Sequence, residues 1–495
     1  MPDYDVIVVG AGNAALAAAV SAREAGAEKV VVLEAAGKGM RGGNTHWSGG
    51  ILRFAFDNPR DIAPLLPGVE EKYLNFFEGV SPYTQADFMA DLMRVTAGRT
   101  DPELSKILVA NSKDAVFWAH DHGKVPMEPA RTIAGVEVNG VIIWPKGAIV
   151  RAEHEGVGLS ASWFKAAERD GVEIRYEASG RDLVQNKAGR VVGVKVQEKG
   201  SLHEITANAV ILACGGFEAN AQWRAQYLGR PWDHAKVRGT RFNQGDGLRM
   251  AMAIGAMPCG QWSGRHSTPI DADWGEFADR KLTDKSNRLT YLYGVMINRN
   301  GRRFVDEGED TQFYTYAKFG AAILNEPGGM AYQIFDQKTI HLMEPRYDYA
   351  VKPLKADTLE ELVQMMDIDN KKQALQTLID YNKAAADDDD FDPSKKDGVS
   401  TKGLSPEKTN WGIRLDKPPF HAFSATGGIT FTFGGLKINE SAQVMGTDWR
   451  VIPGLYTCGE MVGNLFHYNY PAGTGLVSGQ VFGRIAGRNA AKERA

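Results

Sequence analysis

The sequence predicts an α/β fold, a Rossmann-like domain with an α+β unit inserted into it, and three observations lead there. The chain opens on Tyr4-Asp-Val-Ile-Val-Val-Gly10, apolar enough for a parallel strand buried on both faces. Glycine turns recur at the ends of strand-like runs along the whole chain. Between about Gly264 and Phe423 the texture changes to a mixed pattern with aromatic-rich turns. At 495 residues the chain is also longer than one hydrophobic core usually supports. The expected division is 1–263 with 424–495 for a discontinuous first domain and 264–423 for the insert.

The first strand runs into Gly10-Ala-Gly12-Asn-Ala-Ala15, then an alanine-rich helix to about Ala25, then Lys29-Val-Val-Val-Leu-Glu34. This is a G-x-G-x-x-A dinucleotide turn in its required strand–turn–helix–strand setting. The glycines admit a pyrophosphate close to the backbone, the helix start faces that anion, and Glu34 is placed for a ribose hydroxyl. Arg41-Gly-Gly-Asn-Thr-His-Trp-Ser-Gly-Gly50 is too glycine-rich for an ordinary helix or strand and suits close approach of a large flat ligand. Gly189–Glu198 and Leu202–Cys214 read as strands, the second ending in Gly215-Gly216, and Gly454–Glu460 reads as another strand ending on a ligand-type turn. Such turns, spread over the chain, suit a long cofactor lying across a sheet. In the insert, Thr358–Asn382 reads as a helix, Asp387–Asp390 as a solvated acidic loop, and Asn410–Phe420 as a return linker. The segment from Gly475 to Gly487 reads as a helix despite its glycines.

A net charge of −4 and the absence of a clustered basic stripe give no reason to expect nucleic acid. Cys214, Cys259 and Cys458 fit no metal, haem or redox spacing. No apolar run approaches membrane-spanning length, and the first strand begins near residue 4, so the expectation is a cytoplasmic protein without membrane insertion.

Several segments together carry a resemblance: the opening turn, Gly42-Gly43-Asn44, Asn243-Gln-Gly-Asp-Gly247, Gly301-Arg-Arg-Phe-Val-Asp-Glu307, Gly427-Gly428 and Gly459-Glu460. In this order they resemble the fumarate reductase/succinate dehydrogenase flavoprotein superfamily. Tyr314–Phe319, Gly428–Gly435 and Asn469–Gly475 are most similar to its tricarballylate dehydrogenase branch. The resemblance implies an FAD domain, a capping domain and a substrate cleft between them. It places Gly10, Gly12, Ala15, Glu34, Gly42, Gly43, Asn44, Thr45, Gly49, Gly50, Gly215, Asp246, Gly459, Glu460, Gly475 and Leu476 at the cofactor. Gly43 stands where covalent members carry a histidine, so FAD is expected to be non-covalent, with His46 nearby.

Three departures concern the substrate. Gln312 stands at the place of the family's proton-donating arginine, Tyr470 at its C-terminal arginine, and Ser424 at the histidine before Gly427-Gly428. Losing those groups removes bidentate partners for a di- or tricarboxylate. A tyrosine followed by Pro-x-Gly instead resembles the 3-ketosteroid dehydrogenases of the superfamily, in which a phenol and a backbone N–H polarise a ketone. A base then takes the α proton while the β hydride goes to flavin N5, and a fixed O–H donor stabilises charge on the carbonyl oxygen. Tyr470 with the Gly473 to Gly475 amides is the candidate donor, and Tyr314, Tyr316, His266 and His467 are candidates for the base or for holding substrate. Tyr314 and Tyr316 alternate like strand residues, and Arg265 or Arg131 could hold one carboxylate.

The leading reading is an FAD-dependent dehydrogenase of a CH–CH bond beside a carbonyl or carboxylate, on a small cyclic keto compound or keto acid. It would pass electrons to an external acceptor: a quinone, a dye, oxygen or a partner protein. The alternatives are a tricarballylate-type dehydrogenase, a reductase of an activated alkene, a flavin electron-transfer subunit of a larger complex, and a flavin-fold protein without activity.

Overall fold

The computed structural model describes residues 2–131, 135–349 and 352–494. Its central sheet grows from β1 (Tyr4–Val9), which α1 (Asn13–Glu24) connects to β2 (Val30–Glu34). β3 (Glu173–Tyr176), β4 (Ser201–Leu212) and, much later in the chain, a strand over Val451–Thr457 complete the parallel set. Val6 faces Val30 on one side and Ala209 on the other, and Val210 faces Leu455. Both faces of this sheet are covered, which is why β1 is apolar throughout. Val6 and Val8 join the core under α1, while Ile7 and Val9 join a second core with Val194, Leu212 and Leu248.

The second sheet is built on two long strands. β5 (Pro258–Asp271) leads out of the first unit, and a strand over Phe420–Leu436 returns to it, the two pairing antiparallel from Cys259↔Gly435 to Asp271↔Ala425. The expected junctions at 263/264 and 423/424 both fall inside these strands, whose ladder slips register between Gln261 and Arg265 and again between His266 and Ser267 as it passes from the first unit into the insert. Between them come β6 (Val295–Asn298), α2 (Gln312–Leu324) and β7 (Met330–Phe335), and we label the returning strand β8. β8 pairs with β7, which pairs with β6, and their core includes Ile297, Ile334, Leu362 and Leu378. The strand over Val451–Thr457 is then β9, and the chain closes on α3 (Thr474–Ala490).

Two elements differ from expectation. The helix expected over Thr358–Asn382 is two helices, Leu359–Met365 and Lys371–Ala384. The Asn370 side chain accepts from Gln373 N–H at 3.0 Å and starts the second one, while Arg299 reaches Asp367 and Asp369 in the polar break. Tyr314 and Tyr316, strand-like in their alternation, lie on α2. This helix packs between β5, β8 and the first unit, so protein covers most of its circumference and its burial loses the helical period. Contact with β5 is close enough that a Cβ on Gly320 would lie 2.5 Å from the Thr268 carbonyl carbon.

The glycines of α3 have a packing reason. Gly479, Gly483 and Gly487 recur every four residues along one face, and that face lies on Ala14, Ala17 and Ala18 of α1. A Cβ on Gly483 would sit 2.6 Å from Ala14 O, and one on Gly487 2.1 Å from Ala18 O. In an open helix, Gly→Ala would gain about 1 kcal/mol. Here overpacking sets the sign, so Gly487→Ala is expected to destabilise the protein by about 1–3 kcal/mol. Urea unfolding checks this: the midpoint falls, and a raised midpoint would mean the two helices do not touch at Gly487.

Candidate active site

One long, open cleft runs from the end of β2 past the start of α1 to the insert. At one end Glu34 is buried, its carboxylate accepting from Ala36 N–H at 2.9 Å and Gly42 N–H at 3.3 Å. Burial pushes its pKa up. Gly10 has φ 108°, and a Cβ there would lie 2.3 Å from Ala213 O, so the strand-to-helix turn admits only glycine. Gly12, Asn13 and Ala14 line the cleft where α1 begins, and Gly12 brings no side chain to cap that helix. Thr45 Oγ1 accepts from Asn13 N–H at 2.9 Å and ties the Gly43–Trp47 turn beside it.

Further along, Gly43, Asn44, Thr45, Gly49, Gly50, Gly215 and Asp246 line the cleft, as do Gly459, Glu460, Gly473, Gly475 and Leu476. Ala15 and Gly42 stand behind the wall. Ala15 is in the core, and a Cβ on Gly42 would strike Ser160 Oγ at 2.4 Å. Asn44 and Asn243 both donate to Glu218 Oε1, and Thr432 N–H donates to Glu460 Oε1 at 2.8 Å. Glu218 and Glu460 share a buried site. Burial pushes Glu218 up to about 7, and burial together with its neighbour's charge pushes Glu460 well above the usual carboxylate range.

The far end of the cleft is aromatic. Tyr316 from α2 and Tyr470 from the loop before α3 hydrogen-bond phenol to phenol. Phe431 packs on Tyr470 with ring centroids 5.2 Å apart. His266 is buried behind them, 4.7 Å from the Tyr316 ring and 4.9 Å from that of Tyr470. Burial, then the charge of Arg238, holds the His266 imidazole well below its ordinary range, so it is neutral. Burial raises both phenols, while Arg238 and Arg53 act to lower them.

Backbone and side-chain ties fix this meeting. Asn469 donates to Tyr314 O at 2.5 Å and accepts from Tyr470 N–H at 2.8 Å, and Ala472 N–H donates to Phe313 O at 3.0 Å. Arg53 is wholly buried; its Nε reaches Ala472 O at 2.7 Å, and its Nη1 reaches Tyr314 Oη at 3.2 Å.

Of the other expected residues, Gln312 lines the cleft, while Tyr314 points the opposite way along α2 and donates to Asp91 at 2.6 Å. His467 is half-buried outside the cleft in the turn where Asn469 N–H meets His467 O, and Arg99's charge acts on it. Ser424 opens on a different cleft, beside Asp273 and Met330, because β8 carries it past α2 to the far part of the sheet. Arg265 stacks over Trp232 at 4.2 Å, and Arg131 is tied to Gly135 O. The sequence reasoning missed Arg238, Asp284 and Arg346, three buried charged residues that line the cleft. The available signal for Arg238 was its position just ahead of the Asn243–Gly247 motif.

A two-sided parallel sheet, a glycine turn facing a long cleft and a buried acid at the end of β2 define a dinucleotide-binding protein. The FAD binding domain family matches residues 5–476, and the chain belongs to that family, within the fumarate reductase/succinate dehydrogenase flavoproteins. It is an FAD-dependent oxidoreductase acting on CH–CH or C=C groups. A probable fumarate reductase of Shewanella frigidimarina is 30% identical over 494 residues, covering 98% of this chain and 74% of that one. A 4-oxocyclohexanecarboxylate 2-dehydrogenase of Sinomonas cyclohexanicum is 27% identical over 575 residues, covering 99% and 93%. The fold matches 3-ketosteroid Δ1-dehydrogenase of Sterolibacterium denitrificans with a TM-score of 0.74 at 21% identity, covering 99% of both chains.

The residues fit FAD: the cleft is long, its glycines stand where a Cβ would intrude, and the starts of α1 and α3 both open on it. Among the described residues no helix is long and apolar enough to cross a membrane. His46 is buried outside the cleft lining, against Trp47, and burial and then Arg280's charge lower its pKa to about 4. FAD is therefore expected to leave with the solvent when the holoprotein is precipitated in acid. Yellow colour retained in the washed pellet would contradict this.

Proposed function

We propose that the protein dehydrogenates a CH–CH bond next to a ketone, on a small cyclic keto compound or keto acid. The observation that carries this is the Tyr316–Tyr470 phenol pair, fixed at the end of the cleft between the insert and the start of α3. Bound FAD supplies an acceptor for the hydride from the β carbon. Tyr470 donates its O–H to the ketone oxygen. Gly473 lines the same cleft as Tyr470, and its N–H supplies a second donor to that oxygen. Two donors in a dry site stabilise the charge that builds as the α proton leaves. Tyr316 takes that proton; burial and the neighbouring Tyr470 hold its phenol well above the ordinary pKa, and the guanidinium charges of Arg238 and Arg53 act against that rise. His266 packs against both rings and holds them apart from water as a neutral wall. The 27%-identical relative acts on a ring ketone, which supports this chemistry.

Reduction of an activated alkene would need a proton donor at the place of the family's arginine. Gln312, which occupies that place, has no ionisable proton, so the dehydrogenase reading is preferred. The reduced protein then passes its electrons to an external acceptor.

Anaerobic mixing with cyclohexanone or 4-oxocyclohexanecarboxylate is expected to bleach the flavin, and tricarballylate or succinate is not. Tyr470→Phe and Tyr316→Phe should each slow bleaching by roughly 10²–10⁴-fold while FAD stays bound. Bleaching by the carboxylates alone would overturn the reading.

The pH dependence follows from the burial of the base. Because burial raises the Tyr316 pKa above that of a free phenol, the active phenolate grows as pH rises. The bleaching rate is expected to climb through pH 9 and show no inflection near 6.5, since His266 stays neutral. A bell-shaped profile centred near neutrality would assign the proton to another group.

A further inference from the structure

Arg238 has a chemistry that the ketone reaction leaves unused. It is 6% exposed and lines the cleft at the end of a short strand, its N–H donating to Ile429 O at 2.8 Å. Of its five N–H donors, those of Nη1 face Thr430 Oγ1 at 3.2 Å and those of Nη2 face Asp284. Its Nε is buried and meets no acceptor. An unpaired charged donor in such a place is costly unless something fills it.

Nor does Arg238 have a carboxylate to itself. Asp284 also pairs with Arg346 and accepts from Asn287 Nδ2 at 2.7 Å. Beyond Arg346 stand Glu344 at 3.2 Å and Glu155 at 3.7 Å, and Glu155 in turn reaches Arg151 at 3.0 Å. Burial raises the Glu344 pKa toward the neutral acid. The acidic groups therefore gather around Arg346, and the buried Nε of Arg238 is left without an acceptor.

Arg238, with this unpaired donor, lines the same cleft as the phenols. Thr430, which faces Arg238, precedes Phe431, whose ring packs on Tyr470 and stacks on His266 at 5.1 Å. We propose that Arg238 is a carboxylate subsite, so that the substrate is a keto acid held by its ketone at Tyr470 and by its carboxylate at Arg238. The ketone half of this statement rests on the dehydrogenase reading above, while the anion half stands on Arg238 itself. A guanidinium edge matches a carboxylate in shape and charge, and a charge-assisted bond of this kind is about twice as strong as a neutral one.

The test compares 4-oxocyclohexanecarboxylate with 4-oxocyclohexanecarboxamide, which keeps the shape and loses the charge. Both are titrated calorimetrically into holoprotein reduced with dithionite, which cannot oxidise a ketone. The acid is expected to bind roughly 10–100-fold more tightly than the amide. Arg238→Gln should bring that ratio close to one, and Arg238→Lys, which keeps the charge but loses the Nε donor, should lower it by a smaller factor. Equal binding of acid and amide by the unaltered protein overturns the proposal, with no variant needed. A ratio unchanged in both variants overturns it as well. If neither compound bleaches the oxidised flavin but the ratio still collapses in Arg238→Gln, the anion subsite stands and the dehydrogenase reading fails.

Discussion

The hydrogen bond between the phenols of Tyr316 and Tyr470 joins two parts of the chain that are 154 residues apart. Tyr316 arrives on α2 of the insert, and Tyr470 on the loop that becomes α3 of the first unit. Neither could be placed by its own element alone. Arg53 fixes the junction from below by holding the Tyr314 hydroxyl and the Ala472 carbonyl with one buried guanidinium. Asn469 fixes it from the side, bridging the Tyr314 carbonyl and the Tyr470 amide. Tyr314 thus serves the site through its backbone and its hydroxyl, two helical positions away from the phenol that faces the cleft.

The same junction depends on how α3 is seated. Its glycine face lies so close to α1 that the starts of both helices open on one cleft, and this brings Gly473 and Tyr470 to the end of it. A bulkier α3 would move the phenol away from the cofactor end. The glycines that weaken α3 as an isolated helix are therefore what position its first turn.

Local chemistry made the cofactor half legible in the sequence. The Gly10–Ala15 turn, Glu34 and the Gly459-Glu460 turn each follow a strand whose apolar pattern is plain, and each constraint acts within a few residues. The substrate half rests on long-range packing. Ser424 and Tyr470 were aligned with family positions by their neighbours in sequence, yet the long strand β8 carries Ser424 to another cleft while Tyr470 lines this one. Arg238 was overlooked because an arginine in sequence reads as a surface charge; only the partners Asp284 and Thr430, 46 and 192 residues away, bury it. Tyr314 and Tyr316 look strand-like because α2 is covered on most sides, so no polar face marks its helical period.

The central claim is that the two phenols work as one unit, one holding the ketone and the other taking the proton. A double-mutant cycle on the anaerobic rate of flavin bleaching by cyclohexanone tests it most directly. If the phenols act together, Tyr316→Phe/Tyr470→Phe is no slower than the worse single variant. If the losses of the two single variants simply multiply, the phenols act independently and the shared device described above does not exist.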